Sequence, residues 1–90
     1  MGRQWMLEIR ILGPGCPRCH ELEKRTINAL AELALATDIQ KINDFKKIAE
    51  YKIFSTPALV INGQVVCVGR LPSVAEINNW IQLTLRAQGA

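Results

Sequence analysis

The sequence is short of cysteine, of aromatic residues and of long apolar stretches. Its three cysteines are too few, and odd in number, for the disulfide framework of a small secreted domain. The first apolar run is short and is broken by Glu8 and Arg10, so it predicts neither a signal peptide nor a membrane span. We therefore expect a cytoplasmic protein without a membrane partner.

The sequence also lacks a dense cluster of residues with the same charge. The formal net charge is +3, but lysines and arginines are scattered among glutamates, and Lys46 and Lys47 form the one dense pair. This pattern is typical of a solvated surface, so no nucleic-acid partner is expected. No repeat, low-complexity tract or linker is present, and the sequence predicts a single domain over residues 1–90, which we expect to be a monomer.

What the chain does contain is a glycine-rich turn with two cysteines, Gly-Pro-Gly-Cys-Pro-Arg-Cys-His over residues 13–20. An apolar strand pattern ends there and a helical pattern begins, so Cys16 and Cys19 lie one helical turn apart at the start of a helix. This spacing brings their Cα atoms within the ~4.4 to 6.8 Å over which a disulfide can form. The pair is suited to a dithiol switch that opens and closes with little backbone movement.

Two other chemistries use the same cysteines. Zinc needs about four ligands, and Cys16, Cys19, His20 and Cys67 could supply them, although half of the usual paired-cysteine pattern is missing. Cys-x-x-Cys-His is also the attachment motif of a c-type haem, but the sequence has one histidine and both methionines precede the motif. A zinc-binding or redox-sensing module is therefore the alternative to a dithiol enzyme, and haem attachment ranks below it.

The same residues have plainer interpretations. Cys67 follows two valines in an apolar strand pattern and is expected to pack as a buried free thiol. His20 could shuttle a proton, but in the first turn of an exposed helix face it is expected to be a bystander. Glu8 and Arg10 share one strand face and are expected either to be partly buried under the second helix or to form a simple exposed pair, with no chemical task.

Apolar periodicity predicts four elements in the first part of the chain: a strand over 5–12, a helix over 17–36, an edge strand over 38–43 and a short helix over 44–52. In the first strand, Ile9 and Ile11 alternate with charged residues. Pro17 fits the first helical turn, where its missing N–H costs nothing. Asn43 or Asp44 can cap the short helix.

The second part predicts a hairpin and a closing helix. Strand patterns over 58–61 and 65–68 flank Asn62-Gly63, a pair that favours a type I′ turn. Residues 73–76, Ser-Val-Ala-Glu, are typical of a capping box, and the apolar residues that follow, Ile77, Trp80, Ile81 and Leu85, predict a closing helix. The order is therefore βαβα followed by ββα, with helices on both faces of one sheet.

Four features together resemble the thioredoxin-like superfamily, and most closely its small archaeal and bacterial redox-active disulfide proteins, which are similar to thioredoxins and glutaredoxins. They are Cys-Pro-Arg-Cys at 16–19, Thr56-Pro57, the Asn62-Gly63 hairpin and Gly69. The resemblance covers nearly the whole chain. It implies an α/β, minimal thioredoxin-like fold, in which a four-stranded mixed sheet of order 2-1-3-4 is flanked by three helices.

The resemblance also implies a function. It predicts a dithiol-disulfide oxidoreductase for protein disulfide substrates, with Cys16 as nucleophile and Cys19 as resolving cysteine. Substrate binding is implied for Thr56, Pro57 and Gly69, with a cis bond before the proline. No metal and no cofactor is expected beyond the redox-active Cys16–Cys19 disulfide.

Thiol chemistry adds a prediction about reactivity. A thiolate is the species that attacks a disulfide, and the helix N-terminus, its free N–H groups and the cation of Arg18 favour a deprotonated Cys16. Glu21 and Glu23 oppose this effect. We expect the pKa of Cys16 to lie below the ~8.5 of a free cysteine.

The chain also departs from its relatives. Gly15 stands where thioredoxin usually has a tryptophan, and Arg10 stands where it has a buried aspartate. Glutaredoxins usually have a tyrosine at the position of Arg18, and a Gly-Gly-x-Asp-like stretch where this chain has Gly-Arg-Leu-Pro over 69–72. Glutathione binding is thereby disfavoured, and we expect a thioredoxin-reductase-like or other dithiol electron donor.

Overall fold

Residues 7–89 are the part of the chain described by the structure, a computed structural model, and they form seven helices and strands. In chain order these are β1 (Ile9–Leu12), α1 (Pro17–Glu32), β2 (Ile39–Ile42), α2 (Phe45–Glu50), β3 (Ala58–Ile61), β4 (Gln64–Val68) and α3 (Val74–Gly89). The predicted order of elements is confirmed. Trp5 and Met6, where the first strand was predicted to begin, lie outside the described residues.

The four strands form one mixed sheet. β1 pairs in parallel with β2 and antiparallel with β3, and β3 pairs antiparallel with β4, which gives the order β2-β1-β3-β4. The predicted α/β, minimal thioredoxin-like architecture of order 2-1-3-4 with three helices is confirmed. With these directions, β1, β2 and β4 end at the same end of the sheet at which β3 begins. Segments 13–20, 55–57 and 69–72 therefore meet there.

Alternate strand residues supply two hydrophobic cores, one on each face of the sheet. α1 and α3 cover the first face, whose buried residues are Ile9, Ile11, Leu22, Ala29, Leu30, Leu59, Ile61, Cys67, Ile77 and Ile81. The shorter α2 covers the second face, where Leu12, Ile48, Ala58 and Val60 are buried. No helix within residues 7–89 has both the length and the apolar character that crossing a bilayer requires.

The first helix is shorter than predicted. α1 ends at Glu32 and not at Ala36. Ala34 adopts a left-handed backbone with φ 55°, and the Leu35 N–H donates to the Leu30 carbonyl at 2.9 Å, which closes the helix C-terminus. Because no glycine marks this turn, apolar periodicity alone overestimates the length of the helix.

Other boundaries lie closer to their predictions. β2 is an edge strand of the sheet, as expected, and spans Ile39–Ile42. Asp44 caps α2, because its side chain accepts a hydrogen bond from the Lys46 N–H at 2.9 Å. α3, the predicted closing helix, spans Val74–Gly89.

The predicted hairpin turn is present between β3 and β4. Asn62 and Gly63 have φ values of 49° and 80°, the pair of positive angles that a type I′ turn needs. A register shift, not foreseen from the sequence, lies between Leu59 and Val60. The turn holds β3 and β4 in a register that carries the end of β4 back toward the start of β3.

Candidate active site

Cys16 and Cys19 lie at the start of α1. Cys16 is the N-cap residue, with extended backbone angles of φ −73° and ψ 167°, and Pro17 follows at the first helical position. The Cys19 and His20 N–H groups donate to the Cys16 carbonyl at 2.9 and 3.1 Å. The Cys16 side chain is partly exposed, whereas Cys19 is only 6% exposed. A substrate sulfur can therefore reach Cys16 and not Cys19.

The two thiols share a hydrogen bond. No disulfide joins Cys16 and Cys19, and their Sγ atoms lie 2.9 Å apart. The pKa of Cys16 lies below its usual value mainly because the Cys19 side chain hydrogen-bonds to its sulfur, and the backbone N–H groups of Cys19 and Arg18 add to the effect. Burial, followed by the same hydrogen bond, raises the pKa of Cys19. The arrangement favours a Cys16 thiolate that accepts from a Cys19 thiol.

The Arg18 side chain contacts the far side of the site. Its Nη2 donates to the Gly69 carbonyl at 3.3 Å, which ties α1 to the segment after β4. The Arg18 backbone N–H is among the causes that lower the pKa of Cys16, after the side chain and backbone of Cys19. The expected effect of the Arg18 cation on the thiolate stays a prediction.

Three segments that are distant in sequence meet beside the cysteines. The Thr56–Pro57 peptide bond is cis, and the Pro57 carbonyl accepts from the Gly69 N–H at 2.8 Å. A Cβ atom placed on Gly13 would overlap the Cys19 Sγ and would lie 3.9 Å from the Pro57 Cα. The turn before α1, the Thr-Pro segment and the segment after β4 thus form one continuous surface around the thiol pair.

The remaining candidate ligands do not join this site. Cys67 is 7% exposed and free, and its Sγ lies 3.8 Å from the Arg70 carbonyl. The prediction of a buried free thiol is confirmed. Within residues 7–89, no three His, Cys, Asp or Glu side chains are grouped so that they could hold a metal ion. The four zinc ligands considered from the sequence, Cys16, Cys19, His20 and Cys67, are therefore not brought together.

Arg10 lies on the face of the sheet that α2 covers. Its side chain donates to the Tyr51 hydroxyl at 2.7 Å and to Gln40 Oε1 at 2.9 Å, and it pairs with Glu8 at 3.2 Å. Glu8 and Arg10 thus form a pair in which Glu8 is exposed and Arg10 is partly buried, which is the partial burial that was expected as one of the two options. This position of β1 thus holds a cation that is bound to a phenol.

Two residues of the site were not identified from the sequence. Gly13 is buried against Cys19, a contact that depends on tertiary packing and that no local pattern marks. Phe54 is 90% exposed in the segment that leads to Thr56. An aromatic residue in a loop directly before a Thr-Pro pair is the signal that could have identified it.

Comparisons with known proteins bear on both fold and chemistry. The sequence model of the thioredoxin domain family matches residues 7–82. A thioredoxin of Methanocaldococcus jannaschii is 35% identical over 83 residues, which cover 92% of this chain and 95% of that protein. A thioredoxin of Methanothermobacter thermautotrophicus is 35% identical over 72 residues, which cover 80% of this chain and 94% of that protein.

A solved structure is similar to this chain at a lower level of sequence identity. The N-terminal domain of Synechococcus elongatus SasA matches with a TM-score of 0.73 and 21% identity, over 100% of this chain and 92% of that domain. At this identity the match supports the fold alone.

Proposed function

This chain belongs to the thioredoxin family and is a thiol-disulfide oxidoreductase, and we propose that it reduces disulfides of protein substrates through Cys16 and Cys19. The observation that carries the proposal is the 2.9 Å approach of two sulfurs whose pKa values are shifted in opposite directions. Such a pair combines an attacking thiolate with a protonated thiol that is held back for the second step.

The proposed reaction has two exchanges. The Cys16 thiolate attacks one sulfur of the substrate disulfide, the substrate S–S bond breaks, and the first substrate thiolate leaves and is protonated. Cys19 then loses its proton and attacks the Cys16 Sγ, which expels the second substrate thiolate. Two electrons pass from the dithiol to the substrate, which ends as a dithiol, and the protein ends with a Cys16–Cys19 disulfide.

Substrate binding is assigned to Thr56, Pro57 and Gly69. Thr56 and Gly69 are partly exposed beside the thiol pair. The Gly69 N–H already bonds to the Pro57 carbonyl and its carbonyl accepts from Arg18, so the backbone of Thr56 is the part offered to an extended substrate segment, while Gly69 contributes contact surface. The exposed ring of Phe54 adds apolar contact area next to this backbone. Because these contacts use backbone and one aromatic side chain, they suit many protein sequences around a disulfide.

For re-reduction we propose a thioredoxin-reductase-like or other dithiol donor in a reducing cytoplasm. Glutathione would need a cation and a backbone cradle in segment 69–72. The guanidinium of Arg70, the cation of that segment, already forms a bidentate pair with Glu76, with Nη2 at 2.9 Å from Oε2. A dithiol protein needs only the exposed Cys16 and its apolar surroundings.

The donor is tested with the oxidised protein. It is mixed either with glutathione at a cytoplasmic concentration or with a thioredoxin reductase and its nicotinamide donor, and free thiols are followed with time. We expect faster and more complete reduction by the reductase, and no reduction of a Cys16→Ser variant. Complete reduction by glutathione together with no reaction with the reductase would reverse the assignment.

A further inference from the structure

On the α1 side of the sheet, a cavity of about 200 Å³ lies behind the thiol pair. It is lined by Ile11, Gly13, Gly15, Cys19, His20, Lys41 and Asn43. Gly13 and Cys19 are buried, whereas His20, Lys41 and Asn43 are exposed. The cavity therefore connects a buried thiol to solvent, and it exceeds the roughly 10–15 Å³ that one water molecule needs.

The second exchange of the proposed function requires a proton acceptor. Cys19 attacks as a thiolate, yet its burial favours the protonated thiol. In the dithiol its hydrogen-bond partner is the Cys16 sulfur, at 2.9 Å. Once Cys16 is bonded to the substrate its sulfur carries no charge, so it is a poor acceptor at the moment when Cys19 must lose its proton.

Besides the Cys16 thiol, the titratable side chains that share the cavity with Cys19 are His20 on α1 and Lys41 on β2. The ionisable residues nearest to His20 along α1 are Arg18, Glu21, Glu23 and Lys24. Segment 55–57 brings no ionisable side chain. The ammonium of Lys41 pairs with Glu23 at 3.5 Å, and the guanidinium of Arg18 binds the Gly69 carbonyl. His20 remains as the side chain on the cavity wall whose ring nitrogen can accept a proton.

We propose, on the premise of the function above, that His20 accepts the Cys19 proton through water in this cavity when Cys19 attacks the mixed disulfide. The Lys41 cation, on the same wall, favours the thiolate that forms. In this step the proton passes from Cys19 Sγ to the imidazole, the Cys19–Cys16 bond forms, and the Cys16–substrate bond breaks. The electron pair of the broken Cys16–substrate bond stays on the departing substrate thiolate. The imidazolium then releases the proton to solvent or to that thiolate.

The two exchanges can be followed in one stopped-flow experiment. The reduced protein is mixed with an aromatic disulfide reagent that releases a coloured thiolate. The first released equivalent reports the attack by Cys16, and the second reports the attack by Cys19. The variants are His20→Asn and Lys41→Gln, and Lys24→Gln is the matched control, because Lys24 is exposed on α1 and does not line the cavity.

We expect His20→Asn to leave the first phase unchanged and to slow the second by about ten-fold or more. This is less than the ~10²- to 10⁴-fold typical of a positioned base, because water can partly replace the imidazole. The second phase should change its dependence on pH, and added free imidazole should restore part of the rate. Lys41→Gln should slow the second phase less, and Lys24→Gln should slow neither.

Different results would contradict the role of His20 and the role of Cys16 as nucleophile. A second phase with the same rate and pH profile in His20→Asn as in the unmodified protein would overturn the role of His20. An equal slowing of both phases would also overturn it, because it would indicate general damage to the site. If the unmodified protein released no rapid first equivalent, the proposed nucleophile itself would be wrong.

Discussion

At the scale of single residues, the hydrogen bond between the two sulfurs controls the reactivity of Cys16. The Cys19 side chain is the main reason that the pKa of Cys16 is low. Cys19→Ala removes that donor, so we expect the pKa of Cys16 to rise toward its usual value and its alkylation at neutral pH to become slower. The pH dependence of alkylation by iodoacetamide measures this shift.

Cys67→Ala is the matched control for that experiment, because Cys67 is buried in the core and its sulfur lies near the Arg70 carbonyl. The midpoint of Cys16 alkylation should not move in this variant. The same low midpoint in Cys19→Ala as in the unmodified protein would show that the helix N-terminus alone sets the pKa of Cys16.

Gly13 makes room for the resolving thiol. A Cβ atom on Gly13 would overlap the Cys19 Sγ. Both residues are buried, so neither can move aside without disturbing the turn. We expect Gly13→Ala to lower the free energy of unfolding by ~1–3 kcal/mol, the usual cost of overpacking. Denaturant titration of the reduced protein measures this, and an unchanged midpoint would contradict the close contact.

Phe54 is expected to serve protein substrates and not small ones. Its ring is 90% exposed beside the Thr56–Pro57 segment. Phe54→Ala should raise KM for a protein disulfide by about five- to ten-fold, since an interfacial aromatic often contributes more than ~1 kcal/mol. The rate with a small aromatic disulfide should not change. Leu83→Ala, which removes a 50% exposed side chain from α3, is the control and should affect neither substrate.

The residues of the site differ in how far the sequence predicts them. The roles of Cys16 and Cys19 can be predicted because their chemistry depends on a local spacing, and the role of Pro57 can be predicted from the Thr-Pro motif. The contact of Arg18 with Gly69 joins two parts of the chain that meet only in the folded sheet. The sequence therefore predicts the reacting atoms, while the contacts that tune them require the tertiary structure.

At the scale of elements, the start of α3 depends on a capping box. The Ser73 Oγ accepts from the Glu76 N–H at 3.1 Å, and the Ser73 N–H donates to Glu76 Oε1 at 3.0 Å. Arg70 also pairs with Glu76 and is the main reason that the pKa of Glu76 is lowered to about 2. The charged carboxylate thus ties the segment after β4 to the helix.

The lowered pKa fixes the direction of a pH effect. The carboxylate is stabilised in the folded state, so its contribution to stability is present above about pH 4.5 and is lost as the pH falls toward about 2. Glu76→Gln should therefore lower the free energy of unfolding at neutral pH, and its difference from the unmodified protein should shrink over that interval. Denaturant titrations at several pH values measure it, with Glu50→Gln on α2 as control. A difference that stays constant with pH would contradict the ion pair.

Elements with local signals were predicted with nearly correct bounds. Asn62-Gly63 specifies its turn through two positive φ values, and Ser73 and Glu76 specify a helix start, so both are visible in the sequence. The end of α1 has no such signal, because Ala34 takes a left-handed conformation that its residue type does not favour. Packing of the following segment, and not local preference, sets that boundary.

At the scale of the whole molecule, sheet order assembles the site. β1 lies between β2 and β3, so the turn that follows β1 comes against the segment that precedes β3. The hairpin then returns β4 to the same end of the sheet, where the Gly69 N–H donates a hydrogen bond to the Pro57 carbonyl. The proposed nucleophile comes from the first βα unit and the proposed substrate-binding backbone from the ββα unit, so the proposed site requires the complete sheet.

The central claim is that Cys16 and Cys19 together carry the reduction of protein disulfides. The most direct test is the dithiol-driven reduction of insulin by the unmodified protein and by three single variants, Cys16→Ser, Cys19→Ser and Cys67→Ala. We predict turnover by the unmodified protein and by Cys67→Ala, none by Cys16→Ser, and a covalent complex of Cys19→Ser with insulin that mass spectrometry locates at Cys16. Undiminished turnover by Cys16→Ser, or a complex joined through another residue, would contradict the account.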